Sequence, residues 1–224
     1  MQTSRIENYL ELGLQAAAAG SKVLLAHLSK QNEALVIRAK RDGSLVSAVD
    51  LESHRVIQHV LSASQIPIIS EEGELPPYAE RAQWPWFWLV DPLDGTESYL
   101  NHREGFAVNI ALCDHTGPVL GIIADPLSEV IYAGSAGSNP FIAEMNQLDQ
   151  RKPIRSNPPQ PPYRLVTSWN EPLSSEYLIP ESLNPDLFTV EAVSGALKFC
   201  QVLTGEADVH ARSASYMEWD CAAG

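Results

Sequence analysis

The sequence contains few cysteines, and their arrangement excludes several classes of protein. Cys113, Cys200 and Cys221 are scattered and odd in number, with no Cys-x-x-Cys pair beside them. The six histidines are dispersed and form no metal-binding or triad pattern. These features argue against a disulfide framework and a zinc site, and they fit a reducing cytosol.

Basic residues are also scarce relative to acidic ones. The chain has 15 Lys and Arg against 28 Asp and Glu, a formal net charge of -13. Such a surface disfavours nucleic-acid polymers and anionic membranes as partners. A small anionic substrate stays compatible with it, because a bound divalent cation reverses the local field.

Long apolar runs are missing as well. No run reaches the roughly 18 residues of a membrane span, and the N-terminus lacks the basic-then-apolar layout of a signal peptide. We therefore expect a cytoplasmic protein with no integral membrane contact.

The 224 residues are 45% hydrophobic, enough for a sizeable core. Periodicity predicts a first helix to about residue 28, a second after residue 50 and a third over 195–203. Short apolar runs predict strands at 66–69, 86–90, 106–112, 119–124, 130–133, 164–167, 188–192 and 207–211. The mixture predicts an α/β (α+β) layered sandwich. The Pro-rich segment 146–162 predicts a junction between an N-terminal half, 1–145, and a C-terminal half, 163–224.

The most distinctive stretch is Trp88-Leu89-Val90-Asp91-Pro92-Leu93-Asp94-Gly95-Thr96. An apolar run delivers two carboxylates into one tight turn, where they repel each other unless a cation lies between them. Oxygen ligands of this kind suit Mg²⁺, with water or phosphate in the remaining positions. The stretch therefore predicts a metal-dependent phosphate site.

Two further acidic points follow or lie close to apolar residues, namely Glu71-Glu72 and Trp219-Asp220. Each acidic point also has an ordinary structural explanation. Asp94-Gly95 fits turn chemistry, Glu71-Glu72 fits a solvated loop, and Asp220 fits the N-cap of a helix that starts at Cys221. The residues taken singly leave these alternatives open.

Taken in order, the blocks resemble the Mg²⁺-dependent, lithium-sensitive phosphatases related to inositol monophosphatase and fructose-1,6-bisphosphatase. The blocks are 43–50 (GSLVSAVD), 69–72 (ISEE), 88–112 and 219–224 (WDCAAG). Leu197-Lys198-Phe199-Cys200 is similar to the CysQ type, the 3'(2'),5'-bisphosphate nucleotidases. The resemblance implies a layered αβαβα sandwich.

The resemblance also implies a set of metal ligands for two or three Mg²⁺ ions. Glu71, Asp91 and the main-chain carbonyl of Leu93 would hold the first ion. Asp91, Asp94 and Asp220 would hold the second, so that Asp91 bridges the two.

Catalytic and substrate-binding roles follow from the same resemblance. Thr96, hydrogen-bonded to Asp50, would orient and help deprotonate a water, with Glu71 as the third catalytic residue. Substrate contacts would come from Leu93, Asp94, Gly95, Thr96, Gly195, Lys198, Arg212 and Asp220. Two alternatives stay open: Asp50 as the N-cap of the second helix, and Lys198 as a surface lysine.

The function implied is hydrolysis of the 3'-phosphate of adenosine 3',5'-bisphosphate to AMP and phosphate. The resemblance further implies a monomer or homodimer, cytoplasmic or peripherally associated with the inner membrane. The alternatives are an inositol- or sugar-phosphate phosphatase of the same superfamily, and a non-catalytic homologue that binds nucleotide.

Besides milder changes at Leu45, Ser47 and Cys221, the sequence departs from the family pattern at two places that bear on function. Val193-Ser194-Gly195-Ala196 replaces a Gly-Ser-Ser pattern, which bears on the substrate contacts. Family members continue beyond the position of Gly224 for roughly a further helix and strand. If 224 residues are the whole polypeptide, we expect weak occupancy of the second metal position and low activity, because Asp220 then lies on a terminus prone to fraying.

Overall fold

The computed structural model describes residues 2–29, 37–39, 45–101, 104–169, 171, 178–213 and 215–224. Side chains are described from residue 5 onward, except in the two short strands at 37–39 and 45–47. Positions 43 and 44 of the first motif lie outside the described residues.

The described residues form a mixture of helices and strands, as the sequence predicts. The helices are α1 (Gln2–Leu28), α2 (Ala48–Leu61), α3 (Tyr78–Arg81), α4 (Thr96–Leu100), α5 (Leu197–Thr204) and α6 (Glu218–Cys221). The strands are β1 (Ile37–Ala39), β2 (Leu45–Ser47), β3 (Ile68–Ser70), β4 (Trp86–Asp94), β5 (Ala107–Asp114), β6 (Gly117–Asp125), β7 (Val130–Ser135), β8 (Phe141–Glu144), β9 (Gln147–Pro153), β10 (Tyr163–Ser168), β11 (Phe188–Val193) and β12 (Val209–His210).

A seven-stranded sheet of order β3-β4-β5-β6-β7-β8-β9 forms the centre of the molecule. Strand β3 runs parallel to β4, and every other neighbouring pair is antiparallel. Helices α1 and α2 pack on one face of this sheet. The main core lies between these two helices and the sheet, where Leu14, Leu24, Trp88 and Ile110 are fully buried. The apolar stripe of α1 at helical spacing is what brings it onto this face.

The opposite face of the large sheet carries the C-terminal elements. Helix α5 contacts β6 of the large sheet and also β10 and β12, so it lies between two sheets. The second sheet is parallel throughout, in the order β11-β10-β12. Helix α6 packs on β4 and β5. The layers therefore run from α1 and α2 through the large sheet to α5 and α6, and then to the small sheet.

Strands β8 and β9 are absent from the sequence-based prediction. Residues 147–153 form the edge strand of the large sheet, although they lie in the segment predicted as a junction. Arg151 of β9 forms ion pairs with Glu7 and Glu11 of α1, and its guanidinium lies 4.6 Å from the ring centroid of Phe141. The division into two halves stays a prediction. Among the described helices, none is long and apolar enough to cross a membrane.

Candidate metal and phosphate site

The site is built on the parallel pairing of β3 and β4. Ser70 and Val90 are partners in register, and the backbone N–H of Glu71 donates to the carbonyl of Val90 at 3.1 Å. Because parallel strands end at the same edge of a sheet, Glu71 and Asp91 emerge side by side. The side chain of Asp91 is 2% exposed, and it accepts a hydrogen bond from the Leu93 N–H at 3.0 Å.

An irregularity in β4 then turns the chain toward the next functional residues. The register with β5 shifts between Asp91 and Asp94, where Pro92 and Leu93 interrupt the ladder. Ser53 of α2 donates to the Pro92 carbonyl at 2.9 Å and fixes this bulge. Asn109 of β5 donates to Oδ2 of Asp94 at 3.1 Å.

Asp220 joins this edge from the far end of the chain. Single carboxylate oxygens of Glu71, Asp91 and Asp220 lie within 4.8 Å of one another. Asp220 also accepts a hydrogen bond from the Met217 N–H at 3.1 Å, as the third residue of α6. The alternative in which Asp220 is the N-cap of a helix starting at Cys221 is therefore wrong, because α6 begins at Glu218.

Burial and mutual repulsion both disfavour the charged forms of these acids. Burial raises the pKa of Asp91 well above its ordinary value, and the charges of Glu71, Asp94 and Asp220 act in the same direction. Burial, followed by the charge of Asp94, raises the pKa of Asp220 to about 6. A set of hard oxygen donors that repel one another at close range fits a divalent cation such as Mg²⁺.

The turn after Asp94 combines a left-handed glycine with a helix start. Gly95 has φ of 84°, and a Cβ there would lie 2.7 Å from the carbonyl oxygen of Gly105. No other residue fits this position without moving backbone. Thr96 opens α4, and its Oγ1 lies 3.2 Å from both Oδ1 of Asp50 and the carbonyl of Leu93. The predicted Thr96–Asp50 contact is therefore present.

Asp50 does not cap α2. The helix begins at Ala48, so Asp50 lies in its first turn with a side chain that is 1% exposed. The N-cap alternative is wrong for this residue. Its carboxylate instead faces the Thr96 hydroxyl across the buried side of the site.

Lys198 is buried rather than a surface lysine. Lys198 is 3% exposed, and its Nζ donates to the carbonyl of Gly195, two residues before the start of α5. Burial lowers the pKa of Lys198, while the charge of Asp94 acts in the opposite direction. The alternative of a solvated lysine is wrong, because the cation lies inside the site and faces Asp94.

Arg212 and Lys198 line the same polar pocket of about 280 Å³. The guanidinium of Arg212 lies 4.4 Å from the ring centroid of Tyr216, and its Nε lies 3.5 Å from Oε1 of Glu171. The hydroxyl of Tyr216 lies 2.6 Å from Nε2 of His210. Since His210 Nδ1 donates to the carbonyl of Val166, Nε2 is the acceptor, and the Tyr216 ring is held in place.

Of the eight predicted substrate-binding residues, all but Leu93 line this pocket. Asp94, Gly95, Thr96, Gly195, Lys198, Arg212 and Asp220 all line it. The carbonyl of Leu93 lies behind Thr96 as a hydrogen-bond acceptor. Asp94 lies beside the three-carboxylate cluster, bonded to Asn109, and its role as a metal ligand stays a prediction.

Several residues of the site have no part in the sequence-based prediction. Asn109 is a buried amide within an apolar strand. A polar residue inside an apolar run needs a hydrogen-bond partner when it is buried, so the sequence did carry a signal for it. Ser98 and Ser194 share a hydrogen bond of 2.7 Å between α4 and the end of β11. Glu171 and Tyr216, which hold Arg212, carry no local pattern that distinguishes them.

Comparison with known proteins identifies the family. A model of the inositol monophosphatase family matches residues 6–224. The chain belongs to the inositol monophosphatase family. Membership makes it a phosphatase of this superfamily, and the predicted resemblance and layered fold are confirmed.

Individual relatives of this family point to one branch. The 3'(2'),5'-bisphosphate nucleotidase CysQ of Shigella flexneri is 36% identical over 189 residues, which cover 83% of this chain and 73% of that protein. CysQ of Haemophilus influenzae is 30% identical over 228 residues, covering 96% and 79%. The crystal structure of CysQ from Bacteroides thetaiotaomicron has a TM-score of 0.76 at 26% identity, covering 97% of this chain and 83% of that chain.

Proposed function

We propose that this phosphatase hydrolyses the 3'-phosphate of adenosine 3',5'-bisphosphate, giving AMP and phosphate. The observation that carries the proposal is the cluster of Glu71, Asp91 and Asp220 beside the Gly95-Thr96 turn. The relatives named CysQ support the nucleotide as substrate. The buried cation of Lys198 and the guanidinium of Arg212 in the same pocket support a substrate with more than one phosphate.

Mg²⁺ fits the carboxylates as the cofactor. Glu71, Asp91 and the carbonyl of Leu93 would hold one ion, and Asp91, Asp94 and Asp220 would hold a second, with two or three ions in all. When bound, Mg²⁺ supplies a water of lowered pKa and neutralises charge on the phosphate oxygens.

The residues of the chain perform the remaining tasks. Thr96 Oγ1 orients the attacking water and accepts its proton as the P–O bond forms, while the hydroxyl proton of Thr96 passes to the Asp50 carboxylate. The backbone N–H groups at Gly95 and Thr96 would donate to the phosphate, in a turn whose left-handed conformation and close approach to Gly105 require glycine at position 95. The ester P–O bond breaks, and AMP leaves with its 3'-hydroxyl reprotonated from solvent.

The direct test compares two substrates on one preparation. We expect phosphate release from adenosine 3',5'-bisphosphate with a kcat/KM at least about tenfold above that for inositol 1-phosphate, a difference of about 1.4 kcal/mol in transition-state binding. Release should require Mg²⁺ and stop with EDTA. A preference for the inositol ester would favour the inositol phosphatase alternative, and nucleotide binding without release would favour a non-catalytic homologue.

Stability should depend on Mg²⁺ and pH in a linked way. The folded-state pKa values of Asp91 and Asp220 are raised, the latter to about 6. The folded protein therefore binds protons more tightly than the unfolded chain, so the free energy of unfolding without metal should fall as pH rises from about 4 to about 6. Mg²⁺ competes with these protons, so the Tm increase that it causes should be small at pH 5 and complete at pH 7.5.

The size of this effect follows from mass action. Mg²⁺ at 100 times its Kd adds about 2.7 kcal/mol, which raises Tm by roughly 5–10 °C in a chain of this length. Thermal melts at both pH values, with NaCl matched for ionic strength, measure it. An equal Tm increase at pH 5 and pH 7.5 would contradict the assignment of these carboxylates.

A further inference from the structure

Three aromatic rings contact one another beside the polar pocket. The ring centroids of Phe199 and His210 lie 5.2 Å apart, those of His210 and Tyr216 lie 6.0 Å apart, and those of Phe199 and Tyr216 lie 6.1 Å apart. Of these three residues, Tyr216 lines the pocket, together with Lys198 and Arg212. The rings therefore connect the pocket to α5 and β12, which carry Phe199 and His210.

Both basic side chains that line the pocket lie against the Tyr216 ring. The guanidinium of Arg212 lies 4.4 Å from the ring centroid and Nζ of Lys198 lies 5.6 Å from it. Both distances are within the range of about 6 Å at which an aromatic ring attracts a cation. Burial lowers the pKa of Lys198, and the charge of Arg212 acts in the same direction. The attraction of each cation to one ring offsets part of the repulsion between the two cations.

The hydroxyl of Tyr216 fixes the orientation of this ring. It donates to Nε2 of His210 at 2.6 Å, and Nδ1 of His210 donates to the carbonyl of Val166 at 2.8 Å. Burial lowers the pKa of His210, and the charges of Lys198 and Arg212 act in the same direction, so the imidazole stays neutral and accepts this hydrogen bond. Because Val166 belongs to β10, the two hydrogen bonds join the ring to the small sheet.

We propose that Tyr216 is a positioning residue, whose ring holds the cations of Arg212 and Lys198 in the places where they bind the second phosphate of the substrate, the one that is not hydrolysed. The inference rests on the proposed function, since it assumes a substrate with two phosphates. The phosphate that is hydrolysed lies at the carboxylates and the Gly95-Thr96 turn, so the two cations face the other phosphate. Tyr216 touches no reacting atom and acts through these two side chains.

The need for such a ring follows from the charges around the two cations. A phosphate monoester carries about two negative charges and three acceptor oxygens, which suit one guanidinium and one ammonium group together. Each cation also has a carboxylate nearby. The charge of Asp94 acts on Lys198, and Oε1 of Glu171 lies 3.5 Å from Nε of Arg212. Without the ring, both cations would move toward these carboxylates and away from the phosphate.

Substitutions at Tyr216 separate this role from simple packing. We expect Tyr216→Leu to raise KM for adenosine 3',5'-bisphosphate about tenfold, which corresponds to about 1.4 kcal/mol. The kcat for this substrate and the KM for 3'-AMP, which lacks the second phosphate, should stay within about twofold of the starting protein, because the hydrolysed phosphate does not contact these cations. Tyr216→Phe should keep KM within about threefold, since its ring still attracts both cations.

Tyr163→Leu is the matched control. Tyr163 also contacts another ring of the small sheet, that of Phe188 at 5.4 Å, but it begins β10, whereas Ser168 at the end of β10 lines the pocket. This control should change neither KM. The Tm increase caused by Mg²⁺ should be unchanged in Tyr216→Leu. Loss of that increase would assign the effect to Asp220, four residues further along, and would overturn the inference.

Binding is measured separately from turnover, by thermal melts in EDTA. The carboxylates without metal repel phosphate, so AMP, which keeps only the second phosphate, should raise Tm through the two cations, whereas adenosine should not. Tyr216→Leu should lose this increase and Tyr216→Phe should keep it.

The outcomes distinguish the two proposals. If AMP raises Tm in this way but no substrate releases phosphate, the proposed function fails and the positioning inference holds. If adenosine 3',5'-bisphosphate is hydrolysed and Tyr216→Leu keeps the original KM, or raises the KM for 3'-AMP equally, the positioning inference alone is overturned. The absence of any AMP effect on the starting protein would overturn it as well.

Discussion

Replacing Asp91 with Asn is expected to lower kcat/KM at least about 1,000-fold, because metal stabilisation of the transition state is worth several kcal/mol and 1.36 kcal/mol is a factor of ten. Asp91 lies at the centre of the cluster with Glu71 and Asp220, and its side chain is almost fully buried. The amide keeps the shape of the carboxylate and removes its charge. Phosphate release at saturating Mg²⁺ is the measurement.

The same variant should gain stability when no metal is present. The charges of Glu71, Asp94 and Asp220 raise the pKa of Asp91, so its ionised form is repelled in the folded state. Removing that charge should raise Tm in EDTA at pH 7.5 and abolish the further increase with Mg²⁺. A general folding defect would instead lower Tm in both conditions, so the two readouts separate loss of the site from loss of the fold.

Asp114→Asn is the matched control for this substitution. Asp114 ends β5 at the opposite end of its pairing with β4, where it partners Trp86, and it is bonded to Thr116 in an exposed turn. This control makes the same Asp-to-Asn change within the same pair of strands but away from the pocket. Both kcat/KM and the Tm increase caused by Mg²⁺ should therefore stay as in the starting protein. Full activity in Asp91→Asn would refute the metal assignment altogether.

The sequence predicts the local part of the site because that part is one continuous turn. The residues from Asp91 to Thr96 form one tight turn as predicted, and the structure adds the bulge, the left-handed glycine and the helix start within it. Glu71 follows a predicted apolar strand, but its role was implied only by the resemblance, and its place beside Asp91 comes from the parallel pairing of β3 with β4. Asp220 was found only through the order of motifs, because no local pattern places it near Asp91.

The supporting contacts could not be predicted, because they join residues far apart in sequence. The Ser98–Ser194 hydrogen bond spans 96 positions, and the approach of Gly95 to the Gly105 carbonyl depends on how two loops pack. Whether Lys198 was buried or solvated was equally undecided, since a short helix with a mixed apolar face permits both. Its burial follows from the position of α5 between the two sheets.

Strand β9 could not be predicted either, because it too depends on contacts between distant elements. Residues 147–153 contain a single aliphatic side chain, Leu148, so no alternation marks a strand. As an edge strand it needs little apolar surface, and charged residues at an edge protect it from unwanted pairing. It is held by its ladder with β8 and by ion pairs of Arg151 to α1, which are interactions between elements rather than within one.

Thr96→Val is expected to lower kcat about 100-fold, at the lower end of the range for a group that assists proton transfer. The hydroxyl lies 3.2 Å from Oδ1 of Asp50 and is the atom that would orient the attacking water. KM should change little, because valine keeps the side-chain volume and also the backbone N–H that would donate to the phosphate. The measurement is the separate determination of kcat and KM for adenosine 3',5'-bisphosphate.

A double-mutant cycle with Asp50→Asn tests whether the two residues act as one unit. If Asp50 acts only through the Thr96 hydroxyl, the double variant should lose no more activity than Thr96→Val alone, since the effects of coupled residues are not additive. Thr116→Val is the matched control, because its hydroxyl also donates to a carboxylate, that of Asp114 at 2.6 Å, in an exposed turn. Two results would show that the hydroxyl does not transfer the effect of the carboxylate to the water. One is a loss in the double variant equal to the product of the two single losses, and the other is a kcat for Thr96→Val within about threefold of the starting protein. The buried position of Asp50 at 1% exposure, with Thr96 between it and the pocket, is why we expect the coupled result.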